Sequence, residues 1–472
     1  MVETALLDGV GPFAGGYNDQ RLALVMVCVL FAPLVVLQNW RGYTLIIVGW
    51  GIFVLAIGMS FFYQDAQAWG GVEGVFYPLY LLAVAGLGGV AARASTEDIA
   101  AALSYLVISA VSYSLVTLMV YCFTLWDQVI RLDDYLPWGF ANIRFWSHVA
   151  TWLIPLLGVV LEVGPFRRSS LWKVLVMLAG GIFWWLIFVS SARGSFISLV
   201  AAAIVTFSFF QKDAFPYYKR LVFQLFLGVG FWLILSLILP YLVFEGIEMR
   251  GVDSDSSGRM RLWHEAWMMS LQNFPLGMGP QSWLTHDLIT EGYRSGEEIA
   301  SPHNMYLLWA AEYGWLGVFG LALIGIWFLK LVADVSRMRS GTTGTQNLLQ
   351  GALLMSVVAA LIHSSVSGVF IAPASMLIGL VVLATFWGLF RHKTDELRGC
   401  LTEGKASKVA KSIFASCVIA VSAVWIGQVG EYNKAMERDI ESGATSQHAG
   451  LTPRFWLHGY YPRRDELMPE PK

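Results

Sequence analysis

Three short stretches of the sequence hold charged or titratable side chains in patterns suited to chemistry. The first, Ala300-Ser301-Pro302-His303-Asn304-Met305-Tyr306, opens directly into an apolar run. Ser301 is placed to cap a helix, Pro302 to take its first position, and His303 follows. A histidine there feels the positive helix end, which disfavours imidazolium and keeps a neutral, proton-accepting ring. A lone histidine is more often structural than catalytic. This one ends a long loop that also carries an anion-binding pattern, which favours a general base. Glu312, a few turns deeper in the apolar run, needs a partner or a proton.

The second stretch begins Asp253-Ser254-Asp255-Ser256-Ser257-Gly258-Arg259-Met260-Arg261-Leu262-Trp263 and continues helically to Phe274, where Pro275 stops it. Ser256 or Ser257 suits the N-cap. Leu262, Trp263, Ala266, Trp267 and Leu271 recur at helical spacing and predict an apolar face lying in the membrane interface. Arg261 and Glu265, one turn apart, suit a surface ion pair. Arg259 is different, because a cation in a first helical turn opposes the helix dipole unless an anion binds the same N-terminus. The third stretch, Ser190-Ser191-Ala192-Arg193-Gly194-Ser195, is a very short break between two apolar runs. A cation held there calls for an anion or a water-filled cavity, and Gly194 lets a phosphate approach the backbone. The bland alternative is an arginine capping a helix hairpin among lipid headgroups.

The elements that position these residues are membrane helices. Charged residues make up 14% of the chain and hydrophobic ones 56%, against roughly 25% charged in an average soluble domain. Twelve apolar runs are long enough to cross the bilayer: 22–38, 43–62, 75–92, 99–122, 145–163, 170–191, 194–211, 221–244, 304–330, 349–370, 373–390 and 409–429. Unpaired backbone is too costly in lipid, so all must be helical, and no short alternating segments suggest a barrel. Lysines and arginines concentrate in alternate loops, around Arg41, Arg93, Arg167, Lys219, Arg337 and Lys393, which predicts those loops to be cytoplasmic. The loop 245–302, the longest, then faces the periplasm. The expected division is a transmembrane domain over 1–430, containing that loop, and a polar and aromatic tail over 431–472 forming an interfacial extension.

The net charge of -2 conceals this segregation and offers no basic field suited to nucleic acid. Cys28, Cys122, Cys400 and Cys417 lack the spacing of metal ligands or a disulfide framework and read as packing residues. No removable signal peptide is expected at the N-terminus. Tryptophans such as Trp69, Trp138, Trp146, Trp263, Trp283 and Trp456 fall near the ends of runs, where headgroup anchoring is the default role.

The ordered set Ser-Ala-Arg-Gly-Ser (191–195), Ser-Gly-Arg (257–259) with Leu-Trp (262–263), Pro-Leu-Gly-Met-Gly-Pro (275–280), and Pro-His-Asn-Met-Tyr-Leu-Leu (302–308) with Glu-Tyr-Gly-Trp-Leu-Gly (312–317) resembles the O-antigen ligase and polymerase superfamily. Ala192 departs from the serine the family commonly places before its Arg-Gly. The resemblance implies an all-α, GT-C-like polytopic glycosyltransferase of about twelve spans, independent of metal and cofactor, in a Gram-negative inner membrane with its site facing the periplasm. Its donor would be an undecaprenyl-diphosphate-linked O-antigen and its acceptor lipid A-core. Carried onto this chain, Arg193, Arg259 and Arg261 bind the diphosphate and His303 deprotonates the acceptor hydroxyl, with Gly194, Ser257, Asn304 and Tyr306 in support.

Several readings compete. Within the superfamily, a polymerase or a protein O-oligosaccharyltransferase shares the donor and differs in the acceptor. A metal-dependent glycosyltransferase would draw oxygen ligands from Asp65, Asp127, Asp133, Asp134, Asp253 and Asp255. A polyisoprenyl-phosphate flippase would use Arg193 to line its path.

Overall fold

A computed structural model describes residues 16–38, 40, 43–63, 69–129, 131–132, 135–140, 143–244, 258–294, 299–337, 344–398, 405–441 and 453–457. The elements of the described residues are all helices, with α1 Tyr17–Phe31, α2 Thr44–Ser60, α3 Gly70–Ala91, α4 Thr96–Trp126, α5 Ile143–Val159, α6 Ser170–Val189, α7 Arg193–Phe210, α8 Phe215–Phe231 and α9 Leu239–Phe244. Then follow α10 Arg259–Gln272, α11 Glu291–Arg294, α12 Met305–Arg337, α13 Gly344–Ser364, α14 Pro373–Arg398 and α15 Lys405–Glu441. Among the described residues, ten helical segments are long and apolar enough to span a membrane, and α2 and α5 are shorter apolar helices. Together they coincide with the twelve apolar runs of the sequence. The segment Phe215–Phe244 stays continuous through a π-helical turn, Trp232–Ile238. The Tyr121 hydroxyl donates to the Leu235 carbonyl within that turn at 2.7 Å, and Trp185 Nε1 donates to Ser236 Oγ at 2.8 Å. Polar side chains from neighbouring helices therefore meet polar groups of the widened turn inside the bundle.

α12 is broken at Gly314, whose φ of 79° and ψ of 169° leave the helical region. A break inside a span frees backbone groups that lipid cannot satisfy. Here the Pro275–Pro280 segment satisfies them: Met278 N donates to the Ala311 carbonyl at 2.8 Å, Gly279 N to the Glu312 carbonyl at 2.9 Å, and Leu316 N to the Pro275 carbonyl at 3.0 Å. A Cβ on Gly277 would overlap the Glu312 backbone, and one on Gly314 would overlap Pro275 and Leu276. The Pro-Leu-Gly-Met-Gly-Pro and Glu-Tyr-Gly-Trp-Leu-Gly stretches are thus the two halves of one joint, which seats the long loop on the helix that follows it.

The described stretch 453–457 of the C-terminal tail lies buried in the protein, where an interfacial extension was expected. α15 runs on to Glu441, past the expected boundary at 430. Beyond it, Arg454, Phe455 and Trp456 are each 1% exposed. They form a strap inside the bundle, because Arg454 meets buried carboxylates there and the two rings pack on Tyr432. Trp146, Trp283 and Trp456 are likewise packed inside the protein rather than exposed on its surface, each being 2% exposed or less.

Candidate functional site

Two of the arginines singled out in the sequence stand at the first residue of a helix, Arg193 of α7 and Arg259 of α10. Arg193 is exposed on the short turn after α6, where Ser191 adopts a left-handed φ of 51° and accepts a hydrogen bond from Arg193 N at 2.8 Å. Gly194 packs against His363 and Val366 of the α13 end, and any side chain there would press on both. α10 starts after Gly258, which has φ 70° and supplies no side-chain cap. Ser256 and Ser257, the caps expected, lie outside the described residues. Arg259 Nε is buried and has no hydrogen-bond partner among the described residues. Burial, then the nearby charge of Arg193, hold the Arg259 guanidinium below its ordinary value, so the two cations share one region.

His303 belongs to the same region but not to the helix expected of it. α12 begins at Met305, and Asn304 caps it through Oδ1, which accepts from Leu307 N at 3.1 Å. Ser301 and Pro302 therefore precede the helix instead of capping and starting it. The reason is His303 itself, whose φ of 53° is left-handed and incompatible with a helical turn. A non-glycine residue held there is strained, and its surroundings must impose the conformation. The ring is half-buried and faces Arg144, at the start of α5, with Arg144 Nη1 2.9 Å from His303 Nε2. Guanidinium only donates, so Nε2 is an acceptor and the neutral ring carries its proton on Nδ1. Burial, then Arg144, then Arg259 push His303 down to about 3. The depression expected from the helix end is present, but its causes are desolvation and two neighbouring cations.

Beneath this group the α5–α7–α13 contact is polar. Thr151 Oγ1 lies 3.0 Å from His363 Nδ1, Ser195 Oγ donates to the Ser147 carbonyl at 3.0 Å, and His148 Nε2 lies 2.6 Å from Ser367 Oγ. The supporting candidates take structural places. Tyr306 donates to the Leu361 carbonyl at 2.8 Å, tying α12 to α13, while Asn304 is the cap and Gly194 the point of close packing.

The ion pair expected between Arg261 and Glu265 is replaced by another arrangement. Glu265 is fully buried and accepts from Ile289 N and Thr290 N at 2.7 Å each, from the Thr290 hydroxyl, and from His286 Nε2 at 2.9 Å. Burial raises this carboxyl, but the four hydrogen bonds outweigh it and hold the group below its ordinary value. Glu265 thus organises the far side of the loop, leaving Arg261 partly exposed beside Gly258. The buried face of α10 accordingly runs through Leu262, Glu265, Ala266, Met269 and Ser270, and Trp267 and Leu271 of the expected apolar face point outward.

Glu312 has the partner the sequence left unnamed. Arg454 of the strap donates Nη2 to Glu312 Oε2 at 2.6 Å and Nε to both oxygens of Glu73, at 2.9 and 3.2 Å. Sequence reasoning passed over Arg144, Glu73 and Arg454. Glu312 was legible as a carboxylate in an apolar run and in need of a cation, whereas Glu73 falls just before the run 75–92 and Arg454 lay too far along the chain for spacing to pair it. Of the acidic loop residues weighed for metal binding, only Asp127 is among the described residues, which hold no cluster of three or more candidate ligands.

Residues 175–322 match the family model described as O-antigen ligase. The match spans all three arginines proposed from the sequence, His303 and the Gly277–Gly314 joint, so this stretch is similar to the O-antigen ligases. A search of curated proteins gives no match.

Proposed function

We propose that the protein is a lipopolysaccharide ligase that moves a glycan from undecaprenyl diphosphate to a hydroxyl of lipid A-core at the periplasmic face of a bacterial inner membrane, a reading that the match to the O-antigen ligase model supports. The observation that carries this reading is a neutral, half-buried His303 beside Arg144 and near Arg259, which in turn lies near Arg193, with a buried Arg259 Nε–H lacking a partner among the described residues. Such a group of cations suits a diphosphate, which guanidinium groups hold through paired, charge-assisted hydrogen bonds.

In this reading Arg193 and Arg259 grip the donor diphosphate from two helix starts, with Arg261 at the rim. His303 Nε2 takes the proton from the acceptor hydroxyl, and the oxygen bonds to the anomeric carbon. The bond to the diphosphate breaks with its electron pair leaving on phosphate, where the guanidiniums stabilise the developing charge. One displacement inverts the anomeric centre. The donor also solves an electrostatic difficulty. Burial and two cations hold free His303 too weakly basic to act near neutrality, and an arriving diphosphate offsets the cations' share and raises its basicity.

Loss of the gene tests ligase against polymerase. A ligase leaves long polymer on the lipid carrier and bare lipid A-core, whereas single-repeat products on the core indicate a polymerase. Activity that survives complete chelation supports the metal-independent reading, and loss restored by a divalent cation overturns it.

A further inference from the structure

We propose that the buried strap Pro453–Leu457, acting through Arg454, sets the geometry of the turn that carries His303, making Arg454 a positioning residue for transfer. The proposal rests on the role given to His303 above. Arg454 Nη1 donates to the Ala300 carbonyl at 3.1 Å, three residues before His303, and Nη2 donates to Glu312 at 2.6 Å, just before the break at Gly314. One planar group therefore ties both ends of the segment 300–312, while Nε ties that segment to Glu73 of α3. Gln281, next to the joint, adds a bond from its amide to Glu73 at 2.9 Å.

The strap is itself held on several sides. Tyr17 donates to the Arg454 carbonyl at 2.6 Å, Arg21 Nε donates to the Phe455 carbonyl at 2.6 Å, and Leu457 N donates to Asn18 Oδ1 at 2.7 Å. The Arg21 guanidinium lies 4.8 Å over the Phe455 ring, whose other neighbours are Phe76 and Tyr432. Tyr17, Asn18 and Arg21 come from one side of α1.

A buried ion pair is costly to desolvate, and apolar replacements of such pairs are often no less stable. What Arg454 supplies beyond stability is direction. Its fork reaches a carbonyl and two carboxylates at fixed angles, which a lysine cannot do. The left-handed φ of 53° at His303 needs such outside restraint, and the Ala300 carbonyl is the nearest tie to it from this strap.

The test uses the full chain in lipid nanodiscs, comparing wild type with Arg454→Lys and Phe455→Leu. Phe455→Leu keeps every charge and serves if the lysine variant fails to fold. Hydrogen exchange of the amides from Ser301 to Leu308 is read first, because it does not depend on activity. We expect it to rise roughly tenfold or more. For folded protein, kcat falls about tenfold or more, since small misplacements of a base are costly, while donor KM changes less than about twofold because Arg193 and Arg259 are untouched. Unchanged exchange overturns the proposal, as does raised exchange with wild-type kcat. Wild-type protein that transfers no glycan overturns the functional reading instead, and the exchange result still decides whether the strap orders the turn.

Discussion

Arg144 and His303 face each other across 2.9 Å, and the contact assigns the histidine tautomer, because the guanidinium can only donate to Nε2. The nitrogen assigned to deprotonate the acceptor is therefore covered by a cation at rest. Replacing Arg144 with glutamine removes a positive charge that depresses His303, so the pKa of the free enzyme rises from about 3 toward the ordinary 6.5. The acid limb of kcat/KM, which reports the free enzyme, moves to higher pH. In wild type, the limb of kcat lies above that of kcat/KM, because the bound diphosphate raises His303. Coincident limbs in wild type, or a downward shift in the variant, contradict this electrostatic account.

The same depression makes stability pH-dependent in a defined direction. Folded His303 stays neutral down to about 3, whereas the unfolded residue takes a proton near 6.5. The unfolded state thus binds more protons in that window, and the contribution of His303, complete above 6.5, declines as pH falls toward 3. Across this range the melting temperature of wild type should fall relative to that of His303→Gln on acidification. Parallel curves argue that His303 is not held neutral.

Arg259→Lys keeps the charge and loses the fork. We expect kcat for transfer to fall about 10²-fold or more with a melting temperature close to wild type, since the Arg259 Nε bonds no described residue. A melting temperature lowered by many degrees, with normal kcat in the folded fraction, would place Arg259 in the structure rather than at the diphosphate.

Gly314→Ala probes the joint. A left-handed φ of 79° and the overlap with Pro275 and Leu276 predict a loss of about 3 kcal/mol or more, read as a lowered unfolding midpoint. A stable alanine variant would mean that the loop does not seat on the broken helix as described.

Glu265→Gln replaces an acceptor of four hydrogen bonds with a group that presents donors to donors, and should cost about 2 kcal/mol. The sign with pH follows from its depressed pKa. The stabilisation is present above the unfolded value of 4.5 and is lost as pH falls through the lower folded value. The destabilisation of the variant relative to wild type should therefore shrink below about pH 4.5.

Length and hydropathy made all twelve apolar helices legible, because lipid leaves the backbone no other choice. The place of Arg259 in the first turn of α10 was legible from the local sequence. What escaped was whatever depends on contacts between distant segments. Local spacing favoured an Arg261–Glu265 pair, yet Glu265 is drawn inward by amides that the loop brings back over α10. The Ser301 cap gave way to Asn304 because His303 takes a left-handed turn, which no local propensity announces. Arg144 closes on His303 from 159 residues away, and Arg454 on Glu73 from 381. Such pairings are tertiary choices, and periodicity carries no trace of them.

The most direct measurement is transfer in vitro from a defined undecaprenyl-diphosphate glycan to lipid A-core, comparing purified wild type with His303→Ala and Arg259→Ala. The account predicts inverted-linkage product from wild type, with each variant reduced at least about 10²-fold. Wild-type rates in both variants would contradict it.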